Sequence, residues 1–148
     1  MSETEGYTIT RVVDAPRELV WQCWTRPEHF AVWFGGHDGV MTDMVVEPVV
    51  GGRWGGTMTV PGGHQIGWNG RFLEVDEPRR LVLAITDEPE LREPFETYTV
   101  TLTETDGKTE LVVTQSGGNL TVEQYEQAKA GTAGFLDVMG ELLDSLQA

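Results

Sequence analysis

The sequence predicts an α+β fold in which a curved sheet of six to seven antiparallel strands wraps around one long C-terminal helix. Residues 41–116 alternate between apolar and polar types, with turn residues at short intervals, which is typical of consecutive antiparallel strands. Residues 121–146 instead repeat their apolar side chains at helical spacing. Because only this last segment is long enough to cover the apolar face of such a sheet, the strands are expected to curl around it.

The first part of the chain predicts one strand and two short helices. Residues 7–13 alternate and are rich in β-branched types, as in a strand. Asp14 is then expected to cap a helix with Pro16 in its first turn, where a missing N–H costs nothing. Residues 27–34 are expected to form the second short helix. The first helix carries one apolar face, made of Leu19, Val20, Cys23 and Trp24.

Six further strands are expected between turns rich in proline and glycine. The clearest alternation is in residues 95–104, where threonines on one face alternate with Tyr98 and other apolar residues on the opposite face. Asp106 and Gly107 form the signature of a tight hairpin, and residues 87–94 form an acidic loop. The expected strands cover residues 41–47, 53–60, 66–75, 81–86, 95–104 and 109–116.

Residues 121–146 predict a helix of about 25 residues, roughly 37 Å long at 1.5 Å per residue. Thr121, with Gln124 three residues later, is a capping-box pattern for its start. A coiled coil is a weaker interpretation, because three glycines interrupt the apolar stripe. That stripe is made of Tyr125, Ala128, Thr132, Phe135, Met139, Leu142 and Leu146.

Composition limits the class of protein and its partners. The 148 residues carry a net charge of −14, which repels phosphate backbones and anionic lipid heads, so neither nucleic acid nor a membrane is an expected partner. A single domain over residues 1–148 is expected at this length. The lone Cys23 allows no intrachain disulfide and no cysteine zinc site. Residues 1–20 contain no basic stretch followed by an apolar core, and a cytoplasmic location is expected.

Five segments in a fixed order carry a family resemblance. They are Val13-Asp14-Ala15-Pro16 with Val20-Trp21, Pro27-Glu28-His29-Phe30 leading to Trp33-Phe34-Gly35, Gly51-Gly52-Arg53-Trp54, residues 70–81, and residues 107–111 before the terminal helix. Over about residues 9–146 the chain resembles the START-like SRPBCC superfamily. Within it, the chain is most similar to the branch named after the C-terminal domain of the activator of heat-shock-protein-90 ATPase.

The resemblance implies a helix-grip fold with an internal cavity between the sheet and the last helix. It implies no particular reaction, because members include carriers, cyclases, self-resistance proteins and co-chaperone domains. One position departs from the family pattern, since Thr132 stands where a tryptophan is expected after Gly131. That position is expected to face the cavity, so the pocket is expected to be wider or more polar than in relatives.

Strand phase and the resemblance together predict the residues that line this cavity. Gly56 and Gly70, placed among aromatic residues, remove side-chain volume and favour open space. The alternative is an ordinary packed core in which such glycines mark bulges. Leu73 and Val75 fall out of phase with Phe72 and predict one bulge. The expected ligand-binding residues are Trp24, Trp33, Phe34, Trp54, Met58, Trp68, Phe72, Tyr98, Thr132, Phe135 and Met139.

The spacing of polar residues predicts neither a catalytic nor a metal site. His29, His37 and His64 form no i, i+4 pair, so no metal is expected, and no cofactor motif is present. His37, Asp38 and Tyr98 are weak candidates for acid–base catalysis. The competing interpretation of His37 and Asp38 is that they are solvated loop residues.

Two arginines lie in strands between glycines and aromatic residues, where an unpaired buried charge would be costly. The strand phase that turns Trp54 inward turns both Arg53 and Arg71 outward, where Glu74 or Asp43 can pair with them. The alternative is that one arginine reaches inward and anchors a ligand carboxylate.

Three functions follow as hypotheses. The favoured one is binding of a small hydrophobic or aromatic ligand in the cavity without catalysis, because the five tryptophans cluster in the first half of the chain, two of them on glycine-rich strands, and no catalytic constellation is present. The second is a polyketide-cyclase-like or hydrolytic enzyme. The third is a co-chaperone-like module that binds a protein partner, and a homodimer is left open.

Overall fold

The computed structural model describes residues 6–118 and 120–148, which form a seven-stranded antiparallel sheet and three helices. The predicted α+β helix-grip architecture and its element order are confirmed. The elements are β1 (Gly6–Val13), α1 (Arg17–Thr25), α2 (Pro27–Trp33), β2 (Val40–Val46), β3 (Arg53–Thr59), β4 (Gln65–Asp76), β5 (Arg80–Ile85), β6 (Glu96–Thr105), β7 (Lys108–Ser116) and α3 (Val122–Leu146).

The sheet has the strand order β1-β7-β6-β5-β4-β3-β2. Strands β2 to β7 therefore follow one another as neighbours, and β1 returns to pair with β7 from Gly6 opposite Ser116 to Val13 opposite Thr109. Helices α1 and α2 connect the two edge strands. Helix α3 packs against β1 and α2, so the apolar face of the sheet is closed by the helix that the sequence assigned to this role.

The long helix begins as predicted and shifts its buried face near its end. The Gln124 backbone N–H donates to Thr121 Oγ1 at 3.1 Å, and the Thr121 N–H donates to Gln124 Oε1 at 2.9 Å, so the capping box is confirmed. In the last turns, however, Leu136 and Leu143 are the buried leucines, whereas Leu146 is 38% exposed. The predicted stripe is wrong there by one position. It repeats every 3.5 residues on average, whereas the helix has 3.6 residues per turn, so the predicted and the buried faces drift apart along the helix.

The first helix begins differently from the prediction. Pro16, not Asp14, is the residue before the first helical position, and no side chain caps that end. The Arg17 backbone N–H instead donates to Glu104 Oε1 of β6 at 2.7 Å. A carboxylate from a distant strand thus satisfies one of the free N–H groups of the helix start, which no local pattern around residue 14 could reveal.

The chain reverses and bends where the sequence indicates. Asp106 and Gly107 both have positive φ, 55° and 80°, as a two-residue hairpin between β6 and β7 requires. The pairing of β4 with β5 slips between Phe72 and Glu74, which confirms the predicted bulge. Phe72 is consequently fully buried while Leu73 is 38% exposed.

The expected open space beside the strand glycines is occupied by neighbouring side chains. Trp54 lies directly opposite Gly70 in the sheet, and its indole N–H donates to the Ala84 carbonyl oxygen at 2.7 Å. A Cβ on Gly70 would overlap that oxygen and approach the indole nitrogen to 2.5 Å. A Cβ on Gly56 would lie 2.6 Å from the Met44 sulfur. Both glycines therefore serve close packing, and the expectation that they leave room for a ligand is wrong.

Replacement of Gly70 by alanine is expected to lower the free energy of unfolding by about 3 kcal/mol, because the new methyl group overpacks the Trp54–Ala84 contact. The matched control is Gly67→Ala on the same strand, where a Cβ meets no atom within 4 Å, and a change below about 1 kcal/mol is expected. Urea unfolding of both variants measures the difference. Equal losses in the two would contradict the packing role of Gly70.

Candidate ligand-binding cavity

A cavity of about 580 Å³ lies between the inner face of the sheet and α3, with the segment 86–96 as one wall. This volume is within the usual range for small-molecule sites. The wall segment is largely exposed between residues 87 and 94, so the cavity reaches solvent on that side. The lining is made of Phe34, Trp68, Ile85, Thr86, Asp87, Glu88, Glu90, Arg92, Glu93, Pro94, Phe95, Glu96, Tyr98, Gln115, Gly118, Leu120, Ala128 and Phe135.

Three neighbouring strands bring polar side chains to one end of the cavity. Gln115 in β7 lies opposite Tyr7 in β1 on one side and opposite Tyr98 in β6 on the other. All three side chains are buried. Thr132 of α3, only 3% exposed, meets them from the helix. Buried polar groups need hydrogen-bond partners, and these four residues supply them to one another.

Hydrogen bonds within this group run in one direction. Tyr7 OH donates to Gln115 Oε1 at 2.6 Å, since an amide oxygen can only accept. The Thr132 hydroxyl, 2.7 Å from Tyr7 OH, must then donate to it. Tyr98 OH, 3.2 Å from Thr132 Oγ1, donates in turn to that oxygen. Each hydroxyl has one proton, so the order Tyr98, Thr132, Tyr7, Gln115 is fixed by the amide at its end.

The network ends on the carboxylate of Glu96. Gln115 Nε2 donates to Glu96 Oε1 at 3.0 Å, and Tyr125 OH donates to Glu96 Oε2 at 3.0 Å. We call these six residues the polar network of the cavity: Tyr7, Glu96, Tyr98, Gln115, Tyr125 and Thr132. Of its members, Glu96, Tyr98 and Gln115 face the cavity directly.

The phenols of the network remain protonated at neutral pH. Burial raises the pKa of Tyr7. Burial also raises the pKa of Tyr98. Burial and the hydrogen bond to Glu96 raise the pKa of Tyr125 to about 12. A phenol in this state can orient a ligand by hydrogen bonding, but it does not present an oxyanion that could accept a proton.

The expected ligand-binding residues divide into two groups. Phe34, Trp68, Tyr98 and Phe135 line the cavity, and Thr132 lies behind Tyr98, to which it is hydrogen-bonded. The remaining six are at most 4% exposed and belong to the packed core instead: Trp24, Trp33, Trp54, Met58, Phe72 and Met139.

The packed aromatic residues leave no gap for a ligand among themselves. The Trp24 and Trp33 rings are 4.6 Å apart between centroids. Phe30 stacks on Trp33 at 4.9 Å and on Trp54 at 5.3 Å. The Trp33 indole N–H donates to the Cys23 carbonyl at 2.7 Å. This core supports one end of the cavity without touching its contents.

Trp68 differs from the core tryptophans. It lines the cavity. Its indole nitrogen, like that of the core residue Trp24, is buried without a hydrogen-bond partner among the residues that the structure describes. An unmet buried donor costs about 1–3 kcal/mol. A hydrogen-bond acceptor that reached this N–H would recover that cost.

Glu96 and Gln115 were missed as site residues although the sequence contains a signal for them. Glu96 has the same strand phase as the buried Tyr98 and Val100, and Gln115 has the phase of the buried Val113. A polar residue in an inward phase indicates either a buried network or a ligand contact. The sequence analysis also missed the wall formed by residues 86–96. No periodic sequence pattern indicates that a loop lies close to a helix distant in sequence.

The polar loop candidates lie outside the cavity. His37 is exposed, and its Nε2 lies 2.7 Å from Glu141 Oε2 of α3. Neither His37 nor the exposed Asp38 belongs to the cavity lining. The described residues contain no group of three or more His, Cys, Asp or Glu side chains placed to hold a metal ion. They also contain no helix that is both long and apolar enough to span a bilayer.

Arg53 and Arg71 point outward, as strand phase predicts, and lie directly opposite each other on β3 and β4. The expected ion pairs are wrong. Glu74 pairs with Arg80 at 2.7 Å, and within residues 6–118 and 120–148 neither Arg53 nor Arg71 has a carboxylate within 4 Å. Both arginines border a separate hollow of about 600 Å³, which residues 89–91 also line.

Replacement of Thr132 by valine is expected to lower the free energy of unfolding by about 1–3 kcal/mol, because Tyr98 OH loses its acceptor while the side-chain shape is kept. The control is Thr8→Val, which removes a hydroxyl from an exposed pair with Thr114 and is expected to change stability by less than about 0.5 kcal/mol. Urea unfolding compares the two. A loss in Thr132→Val no greater than in the control would refute the network.

The pKa of the His37 ring is expected to lie above its ordinary value of 6.5, because the hydrogen bond and then the charge of Glu141 favour the imidazolium. The ring therefore stays protonated to a higher pH than a free histidine. Glu141→Gln is expected to lower the pKa toward the ordinary value, as measured by an NMR pH titration of the ring. Glu126→Gln, about 22 Å earlier along α3, is the control and should leave it unchanged.

Comparison with known proteins places the fold and the family. Among curated proteins none matches the chain. Solved structures do match, including protein NE0264 from Nitrosomonas europaea, 24% identical over 99% of this chain and 98% of that one with a TM-score of 0.84. Protein Ms6760 from Mycobacterium smegmatis is 23% identical, with coverages of 97% and 93% and a TM-score of 0.81. An AHSA1-like protein from Aeromonas hydrophila is 24% identical, with coverages of 95% and 94% and a TM-score of 0.76.

Structural similarity to proteins of such low sequence identity shows only that the fold is shared. The family is shown by the match of residues 14–148 to the family model described as activator of Hsp90 ATPase homolog 1-like protein. That match agrees with the motifs that suggested the START-like SRPBCC superfamily. Because the match covers most of the chain, the chain belongs to the AHSA1 family of activator of Hsp90 ATPase homolog 1-like proteins.

Proposed function

We propose that this protein binds a small hydrophobic or aromatic molecule in the cavity between the sheet and α3, without a reaction of its own. The observation that carries the proposal is a cavity of about 580 Å³ with aromatic and aliphatic walls, in which the hydrogen-bonded polar network lies at one end and exposed charged residues lie on the segment 87–93. Ligand sites combine mostly apolar walls with a few placed polar groups in this way.

The energetics favour a ligand with both an aromatic body and a polar end. An aromatic molecule that buries about 200 Å² of apolar surface gains about 5 kcal/mol from burial. Association costs at least about 4 kcal/mol in lost freedom of motion. Apolar contact alone therefore gives weak binding, and the remaining affinity has to come from hydrogen bonds at the polar network.

The competing functions have less support. The cyclase-like or hydrolytic alternative needs His37, Asp38 and Tyr98 to act on one substrate, but only Tyr98 contributes to the cavity lining. The co-chaperone-like alternative rests on the family description and would be favoured by recovery of a chaperone in a pull-down with the purified protein.

Native mass spectrometry of the protein purified from its own host is the direct test. An added mass that is released on denaturation and identified as an aromatic or lipid-like compound would support the proposal. An apo mass, together with no shift of the melting temperature by hydrophobic and aromatic probes, would contradict it.

Replacement of Ala128 by tryptophan is expected to reduce the affinity for any aromatic probe that binds the wild type by at least about tenfold, because the new ring enters the cavity. Ala130→Trp is the matched control, since Ala130 lies on the same helix and is exposed. Isothermal titration calorimetry of both variants measures the effect. Equal affinities in the two would mean that the probe binds elsewhere.

A further inference from the structure

The polar end of the cavity combines negative charge with hydrogen-bond acceptors. We propose, building on the proposed function, that the ligand is an aromatic amine whose protonated nitrogen lies against Glu96 and Tyr98. The apolar body of such a molecule would lie against the wall that Phe34, Trp68 and Phe135 form. No fatty acid or other carboxylate would be accepted in this orientation.

The direction of the hydrogen bonds leaves acceptors facing the cavity. Tyr98 gives its only proton to Thr132, so its oxygen can offer only lone pairs to a ligand. Glu96 accepts one hydrogen bond on each oxygen, from Gln115 and from Tyr125. A carboxylate has about four acceptor positions, so about half of them remain for a ligand. A group with several N–H donors and a positive charge matches this pair of acceptors.

The charges around the cavity also favour a ligand with a positive charge. Its lining holds a single arginine, Arg92, whose Nη2 is 3.2 Å from Glu90 Oε1 in an exposed ion pair. The other charged lining residues are carboxylates: Asp87, Glu88, Glu93 and Glu96. Asp87, Glu88 and Glu93 are exposed, so salt weakens their effect, whereas the half-buried Glu96 is screened less. A ligand carboxylate would be repelled and a ligand ammonium attracted.

The aromatic walls favour the same chemistry. The Phe34 and Phe135 rings are 5.0 Å apart between centroids, and Phe34 meets Trp68 edge-on at 6.1 Å. Ring faces attract cations within about 6 Å, and tryptophan does so most strongly. A protonated amine therefore finds favourable partners along the walls as well as at Glu96.

The test compares three probes that share one ring system and differ only in the polar group: 2-naphthylmethylamine, 2-naphthol and 2-naphthoic acid. Calorimetry at pH 7 is expected to rank the amine at least about tenfold tighter than the naphthol, and the acid weakest, as charge-assisted hydrogen bonding predicts. Equal binding of amine and naphthol would overturn the positive charge. Acid binding as tight as amine binding would overturn the whole inference. Failure of all three probes to bind would instead count against the proposed function.

A substitution at Glu96 tests whether this residue is responsible for the preference for the amine. Glu96→Gln keeps the size of the side chain, and its amide oxygen can still accept from Gln115, while its NH2 group can only donate to the Tyr125 oxygen. It is expected to weaken amine binding by at least about tenfold and naphthol binding by less than about threefold. Glu110→Gln, an exposed change on β7, is the control for net charge. An equal loss in both variants would mean that general charge and not Glu96 selects the amine. The probe series in the wild type needs no variant, so the inference stays testable if Glu96→Gln is unstable.

Discussion

Thr132 joins α3 to strands β1 and β6 near one edge of the sheet, and the polar network beside the cavity depends on this contact. Its hydroxyl lies 2.7 Å from Tyr7 OH and 3.2 Å from Tyr98 OH, so one small side chain connects β1, β6 and the helix. On the C-terminal side of Thr132, Leu136 and Met139 are buried in the core. Ala128, one turn earlier, and Phe135, almost one turn later, both line the cavity. A small polar residue at this position thus permits both the network and the space beyond it.

The network also sets the chemical character of the cavity. Because the amide oxygen of Gln115 can only accept, every hydroxyl before it has a fixed role. The hydroxyl of Tyr98 therefore offers the cavity an acceptor, while the Trp68 N–H elsewhere in the lining is a donor. The carboxylate of Glu96 ends the series and faces the same space. Thr132 lies behind Tyr98 and is not part of the cavity lining, so the expectation that residue 132 faces the cavity is wrong, and the departure from the family pattern acts on the cavity only through Tyr98.

Membership of the AHSA1 family and the helix-grip fold leave the activity open, since one fold supports unrelated functions. What separates the hypotheses is the location of particular side chains. His37 is engaged by Glu141 on the surface, whereas the aromatic walls and the polar network share one cavity. A binding protein follows more directly from this arrangement than a catalyst built on those loop residues.

The sequence by itself determined the strands, the hairpin at Asp106-Gly107, the capping box at Thr121 and the bulge after Phe72, because periodicity and turn chemistry act between near neighbours. The outward orientation of Arg53 and Arg71 followed from the same periodicity. These elements, in their order, were enough for the fold and the family. The expectation of a buried residue at Leu146 failed because small errors in helical phase accumulate along 25 residues.

Only the tertiary structure decided which aromatic residues face open space. Trp24 and Trp54 are core residues because α1, α2 and β3 bring them against Phe30 and Trp33, whereas Trp68 lines the cavity. The start of α1 was likewise decided by Glu104, which lies 87 positions later in the chain. Strand phase states which side a residue faces, but whether that side meets a neighbour or a cavity depends on how elements distant in sequence pack together.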